Sequence, residues 1–328
     1  MNVLVTGGTG FIGSRLTLRC LERGDHVRVL AQENTEAEAK NRSEIEASGA
    51  EVVLGSVTDV EPGMPLLDGI DVVFHLAAIQ HEMDIPDSVF REVNVEGTRR
   101  MLRAADAASV DHFVHGSTIG VWGDPQGVLD EDTEPDPDNI YGETKLEGER
   151  IAREYSNGLP VTAIRIPEVY GPGDRRLLKL FRGVDRGTFP LIGKGENLHH
   201  LIYVGDLIDG LIGAAETSAT AGEVYLLAGH EAVTTNEMVQ TVARVLDADP
   251  PRWRFPLPPF VLLATVLELT LRPLGLQPPL HRRRLDFFRK SFTLSADKAR
   301  SHFGFRPTVS FEEGVRRTAH WYRDRNLL

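Results

Sequence analysis

The sequence predicts an α/β fold, a doubly wound parallel sheet with a smaller, mainly C-terminal second domain. Three observations predict it. Short apolar runs alternate with helix-favouring stretches through the first half of the chain. A glycine triplet stands directly after the first run. The alternation breaks after Ile166, where Pro167, Gly171, Pro172 and Gly173 mark a loop. Parallel strands require crossover connections, so the alternation implies a sheet covered by helices on both faces.

Residues 3–5 read as the first buried strand and 11–23 as the helix behind it. Residues 27–30, 52–54, 72–76, 112–115 and 161–166 read as further strands, because each is a short β-branched or aromatic run. The polar run 34–48 and the longer stretches 88–108 and 141–155 favour helix. Beyond the loop, 198–203 is expected as a strand, 206–215 as a helix and 224–227 as a strand. Five prolines between 249 and 259 mark a boundary. The apolar stretch 260–271 contains Glu268 and is too short to span a bilayer. A core helix is expected there, ahead of a cover for an apolar substrate or a membrane contact.

The chain of 328 residues suffices for one large or two smaller domains. Hydrophobic residues at 41% and charged residues at 26% exclude disorder, collagen and coiled coil. One cysteine, Cys20, excludes a disulfide framework and a cysteine-based zinc site. It fits a reducing compartment. No basic region precedes the first apolar run, so no secretory signal is read and a cytoplasmic location is expected. His199 and His200 stand without clustered ligand residues, so no metal is expected.

A net charge of −12 argues against general nucleic-acid binding. The charge is polarised. Residues 251–328 hold 15 Lys+Arg against 6 Asp+Glu, and the remainder holds 21 against 42. A basic C-terminal part in an acidic protein implies a local anionic ligand, an inter-domain charge match or a solvated basic face.

Gly7, Gly10 and Gly13 follow the first strand and open the first helix. One glycine lets the chain turn sharply out of the strand, another lets backbone N–H groups approach a pyrophosphate, and the third lets helix pack closely on strand. The helix N-terminus adds free donors and a partial positive charge. Dinucleotide binding on a Rossmann-type sheet is the expectation. The acid usual at the end of the second strand is missing from Leu30-Ala31-Gln32-Glu33. Gln32 is expected to bond the adenosine ribose, or Glu33 if the register slips by one. No arginine stands there for a 2′-phosphate, which favours NAD over NADP.

Tyr141 and Lys145 open a helix after the acidic loop 130–138. Four residues apart, they share one helix face. A nearby ammonium favours the phenolate and lowers its pKa toward neutrality. Such a phenol can exchange a proton with a carbinol or carbonyl oxygen during hydride transfer. Ser117 and Thr118 lie just past the fifth strand, at the end where ligands bind in open α/β sheets.

With these residues in place, the sequence resembles the extended short-chain dehydrogenase/reductase superfamily. That group holds NDP-sugar epimerases and dehydratases, 3β-hydroxysteroid-dehydrogenase-like enzymes and dihydroflavonol-type reductases. The resemblance covers nearly the whole chain. It rests on Thr6-Gly-Gly-Thr-Gly-Phe-Ile-Gly13, His75-Leu-Ala-Ala78, Asn94-Val-Glu-Gly-Thr98, Ser117-Thr-Ile-Gly-Val-Trp-Gly123, Tyr141-x-x-x-Lys145, Arg165-Ile-Pro-Glu-Val-Tyr-Gly-Pro172, Tyr203-Val-Gly-Asp206, and Asp297-Lys-Ala299 with Phe303-Gly-Phe305.

The resemblance implies Tyr141 as acid/base, Lys145 as holder of the nicotinamide ribose, and Thr118 as the catalytic hydroxyl. It implies cofactor contacts from Phe11 and Ile12 N–H groups, from Ser56, Val57, Leu76, Ala77, Ala78, Asn94 and Ser117, and from Pro167 near the nicotinamide. Residues 1–167, with a return segment at 198–230, would bind the dinucleotide. Residues 168–197 and 231–328 would bind substrate. Glu168 and His199 stand where hexose epimerases often place Asn and an arginine, and Ile119-Gly120 stands where sugar 4,6-dehydratases carry Asp-Glu, which disfavours dehydration. Arg283 and Arg284 are expected near a substrate diphosphate.

The resemblance thus implies an NAD(P)-dependent enzyme acting on a secondary alcohol or ketone, a nucleotide-sugar epimerase or reductase first. A steroid- or dihydroflavonol-type ketone reductase is the alternative, and a non-catalytic dinucleotide-binding module the third reading. It also implies a homodimer through helices 88–108 and 141–155.

Overall fold

A computed structural model describes the chain except residues 81–84, 125, 156–157, 272–275, 277 and 281–284. Seven parallel strands form one sheet. They are β1 (Asn2–Thr6), β2 (His26–Ala31), β3 (Glu51–Leu54), β4 (Val72–His75), β5 (His112–Thr118), β6 (Val161–Ile166) and β7 (Val224–Leu226). Their order is β7-β6-β5-β4-β1-β2-β3, so the chain winds outward from β1 in one direction and then in the other. The order reverses between β1 and β4, with Val3 opposite Val72 and Thr6 opposite His75.

Successive strand residues point to opposite faces, and both faces here are apolar. Val3, Val5, Val72, Phe74 and Val114 pack with Leu16 and Cys20 of helix Phe11–Glu22 and with Leu207 and Leu211 of helix Val204–Glu216. Leu4, Leu30, Val73 and Phe113 pack on the other face with Met101, Leu102, Ile151 and Ala152. The double covering explains why these strands read as unbroken apolar runs. Cys20 is a core residue whose thiol burial pushes up to about 12.

Three expectations need correction. The stretch 88–108 is helical but not uniform: Asp87–Arg91 runs into a π-helical turn, Glu92–Gly97, before Thr98–Ala107. The stretch 198–203 is two short strands with different partners. Leu198–His199 pairs antiparallel with Val233–Thr234, and Ile202–Tyr203 pairs parallel with Val169–Tyr170. The stretch 260–271 belongs to helix Leu257–Leu271, but it is not a core helix. Only Ala264 is buried, and Leu262, Leu263, Val266 and Leu269 are exposed.

The later segments build a smaller layer beyond the main sheet. Ser291–Leu294 pairs with Gln126–Leu129, and Arg254–Phe255 pairs with Leu191–Ile192. Charge joins this layer to the rest. Arg289 meets Asp124 at 2.7 Å, Lys290 meets Asp138 at 3.2 Å, Lys298 meets Glu223 at 2.8 Å and Arg325 meets Glu44 at 3.4 Å. The basic tail is thus matched in part by acidic residues of the chain before residue 251.

Candidate active site

Two connected needs shape the carboxyl ends of the strands: a close turn and open donors. Gly7 has a φ of +70°, and a Cβ there would lie 2.9 Å from the Ala77 nitrogen. A Cβ on Gly13 would lie 2.3 Å from the Gly7 carbonyl oxygen. Both contacts are with backbone, so glycine is required. Gly10 caps the helix with no side-chain bond, and its first turn holds no acidic residue. The Phe11, Ile12 and Gly13 N–H groups find no acceptor among the described residues, whereas Ser14 N–H already bonds the Gly10 carbonyl. Three open donors at an uncapped helix N-terminus fit an anion such as a pyrophosphate.

A cavity of about 750 Å³ runs from this turn across the sheet. Gly7, Gly10, Phe11, Ile12 and Gly13 line one end, with Gln32, Ser56 and Val57 at the far side. Leu76, Ala77 and Ala78 form the floor after β4, and Ser117, Thr118, Tyr141, Lys145 and Pro167 close the other end. Glu33 is turned away from it onto Arg42, at 3.2 Å. Asn34, Glu38 and Arg175 line the cavity too, and the reading of the sequence passed over them. They come from the loop and helix after β2 and from the loop after Gly173, where no periodic pattern singles them out.

Asn94 does not line the cavity. It is fully buried behind it, accepting from Ile79 N–H at 2.9 Å and donating to the Ile79 carbonyl and Thr144 Oγ1, each at 3.1 Å. It ties the loop after β4 to the helix that carries Tyr141 and Lys145.

That helix, Ile140–Glu154, starts at Asn139, whose side chain accepts from Gly142 N–H at 3.1 Å. A Cβ on Gly142 would lie 2.4 Å from the Gly120 carbonyl oxygen, so the first turn presses on the turn Ile119–Trp122 that follows Thr118. Tyr141, Lys145 and Glu149 follow at intervals of four on its buried side. Lys145 is 2% exposed, and burial pushes its amine down to about 8, with the Glu149 carboxylate pulling the other way.

Glu149 was not expected from the sequence. Its carboxylate accepts from Ser117 Oγ at 2.6 Å and from Arg165 Nη2 at 2.9 Å, and this ion pair is buried. Arg165 also stacks over Trp122, 5.0 Å from the ring centroid. Ser117 therefore spends its proton on Glu149. The signal was the continued spacing of four past Lys145. Thr118 Oγ1 accepts from Gly120 N–H at 3.0 Å and lies at the mouth of the cavity.

A second cavity of about 790 Å³ adjoins the first and shares Thr118 and Tyr141. Glu168 and His199 line it, with Glu268, Phe287, Arg289 and Lys290 opposite. His199 Nε2 lies 2.9 Å from Thr235 Oγ1, and burial lowers its pKa. His200 is spoken for on both sides: Leu294 N–H donates to Nδ1 at 2.9 Å, and Nε2 donates to the Gly229 carbonyl at 3.0 Å. Arg283 and Arg284 lie outside the described residues. Among the described residues, no three His, Cys, Asp or Glu gather as metal ligands, and no helix is long and apolar enough to cross a membrane.

Comparison with known proteins supplies the family. The chain is 28% identical over 326 residues, covering 98% of itself and 95% of the relative, to N-acetyl-alpha-D-glucosaminyl-diphospho-ditrans,octacis-undecaprenol 4-epimerase of Escherichia coli O157:H7. It is 30% identical over 342 residues, covering 98% and 90%, to a 3 beta-hydroxysteroid dehydrogenase/Delta 5-->4-isomerase of Mycobacterium tuberculosis. Among solved structures it resembles the UDP-glucuronic acid 4-epimerase of Bacillus cereus in complex with UDP-glucuronic acid and NAD. The TM-score is 0.80 and the identity 25%, over 99% of each chain. A sequence model of the NAD dependent epimerase/dehydratase family matches residues 3–228, and the chain belongs to that family.

Proposed function

We propose that the protein is an NAD-dependent enzyme that oxidises and re-reduces a secondary alcohol of a sugar carried on a nucleoside diphosphate, so inverting that centre. The carrying observation is the placement of Thr118 and Tyr141 where the two cavities meet, with Lys145 beside Tyr141 on the dinucleotide side. In this reading residues 1–167 with 198–230 bind the dinucleotide, and 168–197 with 231–328 bind substrate. Phe11, Ile12 and Gly13 N–H groups hold the pyrophosphate, and Gln32 the adenosine ribose. Glu38 beside Gln32 opposes a 2′-phosphate, which favours NAD over NADP.

When bound, NAD supplies the hydride acceptor and returns the hydride. The chain does the rest. Thr118 donates its hydroxyl proton to the reacting oxygen, its lone pair being held by Gly120 N–H. Tyr141, as phenolate, takes the proton from the substrate hydroxyl and later returns it. The Lys145 ammonium one turn away stabilises the phenolate. Glu168 and His199 contact the sugar, in the place of the commoner Asn and Arg. A homodimer through the outer faces of the helical stretch 87–107 and helix Ile140–Glu154, working in the cytoplasm, completes the proposal.

A second reading, reduction of an apolar ketone without return of hydride, draws support from Phe287 and Phe292 in the substrate-side wall. Incubation with UDP-sugars and NAD, followed by separation of the epimers, distinguishes the two. Tyr141→Phe should lower turnover about 10²–10⁴-fold while NAD affinity stays within about threefold, as a phenol lost only from proton transfer leaves binding nearly intact. Equal turnover would remove Tyr141 from the reaction.

A further inference from the structure

Helix Leu257–Leu271 has one face that the described residues leave uncovered. Leu262, Leu263, Val266 and Leu269 lie on it, 67%, 49%, 48% and 72% exposed, and Pro258 and Pro259 continue it toward the N-terminal end. Single exposed aliphatic residues are ordinary, but four on one helix face make a contiguous apolar patch. Polar groups are withdrawn from it. Thr270 donates its hydroxyl to the Val266 carbonyl at 2.8 Å, and Thr265 does the same to Val261 at 2.8 Å. The one charged residue of the helix, Glu268, faces the other way, into the substrate-side cavity. The opposite side is seated through buried Ala264, with Phe260 and Val261 against Ile192 and Leu285.

The end of the helix nearest the sheet pair Arg254–Phe255 is different in character. Trp253 is 63% exposed. The exposed Arg254 guanidinium donates to the Lys194 carbonyl at 3.1 Å and to Asn236 Oδ1 at 3.0 Å, both neutral acceptors. This sets Arg254 against the Lys194 backbone; the two residues line one surface cleft with the exposed Glu196, and neither cation is ion-paired among the described residues. An uncharged apolar face beside an exposed indole and two cations with no ion-pair partner among the described residues supplies the chemistry that the parts of a lipid leaflet accept: acyl chains, interfacial zone, anionic headgroups. The helix is about 22 Å long at 1.5 Å per residue, too short to span a bilayer but suited to lie flat in its surface.

We propose that this face docks on an anionic lipid bilayer. The leucines enter the acyl boundary, Trp253 sits at headgroup level, and Arg254 and Lys194 contact lipid phosphate. The face offers no charged group that would fix the register of a protein partner, and the flanking Arg254 and Lys194, set against the single carboxylate of Glu196, leave a positive charge complementary to acidic lipid. The proposal stands independently of the reaction.

Flotation of the full chain with phosphatidylcholine–phosphatidylglycerol vesicles, against pure phosphatidylcholine, tests it. The protein should float with the anionic vesicles, and its tryptophan emission should shift to the blue. Leu262→Gln with Leu269→Gln should weaken the partition about tenfold or more with an unchanged melting temperature, since both side chains are exposed. Arg254→Gln with Lys194→Gln should remove the preference for anionic lipid. The proposal fails if the wild-type chain stays at the bottom of both gradients, or if the double leucine variant floats as well as wild type. It also fails if sedimentation without lipid shows a self-associated wild type that the leucine variant dissociates, because the face would then cover a second copy.

Discussion

Lys145→Met should make the protein more stable and less active at once. The amine is 2% exposed, and burial pushes it from its ordinary 10.5 down to about 8 despite the Glu149 carboxylate. Below about pH 8 it is protonated in both the folded and the unfolded chain, and the folded state bears the whole cost of burying the charge. A difference of about 2.5 pKa units corresponds to about 3 kcal/mol. Methionine matches the length of the side chain without the charge, and its flexibility lets it fill the same slot. A chain of this size unfolds with an entropy of about 0.7 kcal/mol/K, so the variant should melt about 4 °C higher near pH 7.

The pH dependence gives a second check. As pH rises from 8 toward 10.5, the folded wild type loses this proton while the unfolded chain still holds it, so wild-type stability rises through that window. The two melting curves should therefore converge near pH 10.5. Calorimetric melts across this range, run beside turnover, measure both effects. A variant that melts at or below wild type near pH 7, or a gap that widens with pH, would refute the reasoning.

Three other outcomes follow from the same structure. Glu149→Gln leaves Arg165 buried without a counter-charge and should cost about 3–5 kcal/mol in denaturant unfolding; a loss below 1 kcal/mol would mean that the pair is better solvated than its burial implies. Gly13→Ala places a Cβ 2.3 Å from the Gly7 carbonyl oxygen, forcing the turn apart, and should weaken dinucleotide binding by about tenfold or more, measured by fluorescence titration. Asn94→Leu removes three hydrogen bonds to Ile79 and Thr144 and strands the Ile79 backbone. It should cost about 2–3 kcal/mol, with NAD affinity falling as the loop after β4 loosens.

The parallel sheet was legible because its strands are covered on both faces. Val3, Leu4 and Val5 go to alternate faces and are all apolar, so the run stands out against the polar stretch 34–48 that follows. The glycine turn was legible because Gly7 and Gly13 meet backbone, which no other residue could approach. What sequence reasoning missed depends on distant partners. Arg165 and Glu149 are each unremarkable in the chain, and only the neighbouring β5 and helix Ile140–Glu154 bring them together with Ser117. Residues 260–271 read as core because apolar composition says that a side chain prefers to leave water, not whether this fold supplies a place for it.

The π-helical turn Glu92–Gly97 limits how this chain can be edited. Such a turn holds one residue more than an α-turn. Behind it, Thr98 bonds the Asn94 carbonyl at 2.8 Å and His75 Nε2 at 3.0 Å. The widened turn absorbs that extra residue within a single turn, so the helical segments on either side keep nearly the faces that an unbroken α-helix would give them. Deleting exposed Glu96 should therefore leave Phe90 inside, whereas deleting Asn94 removes the bonds to Ile79 and Thr144. What the turn restricts is which residue can go, not the length of the helix.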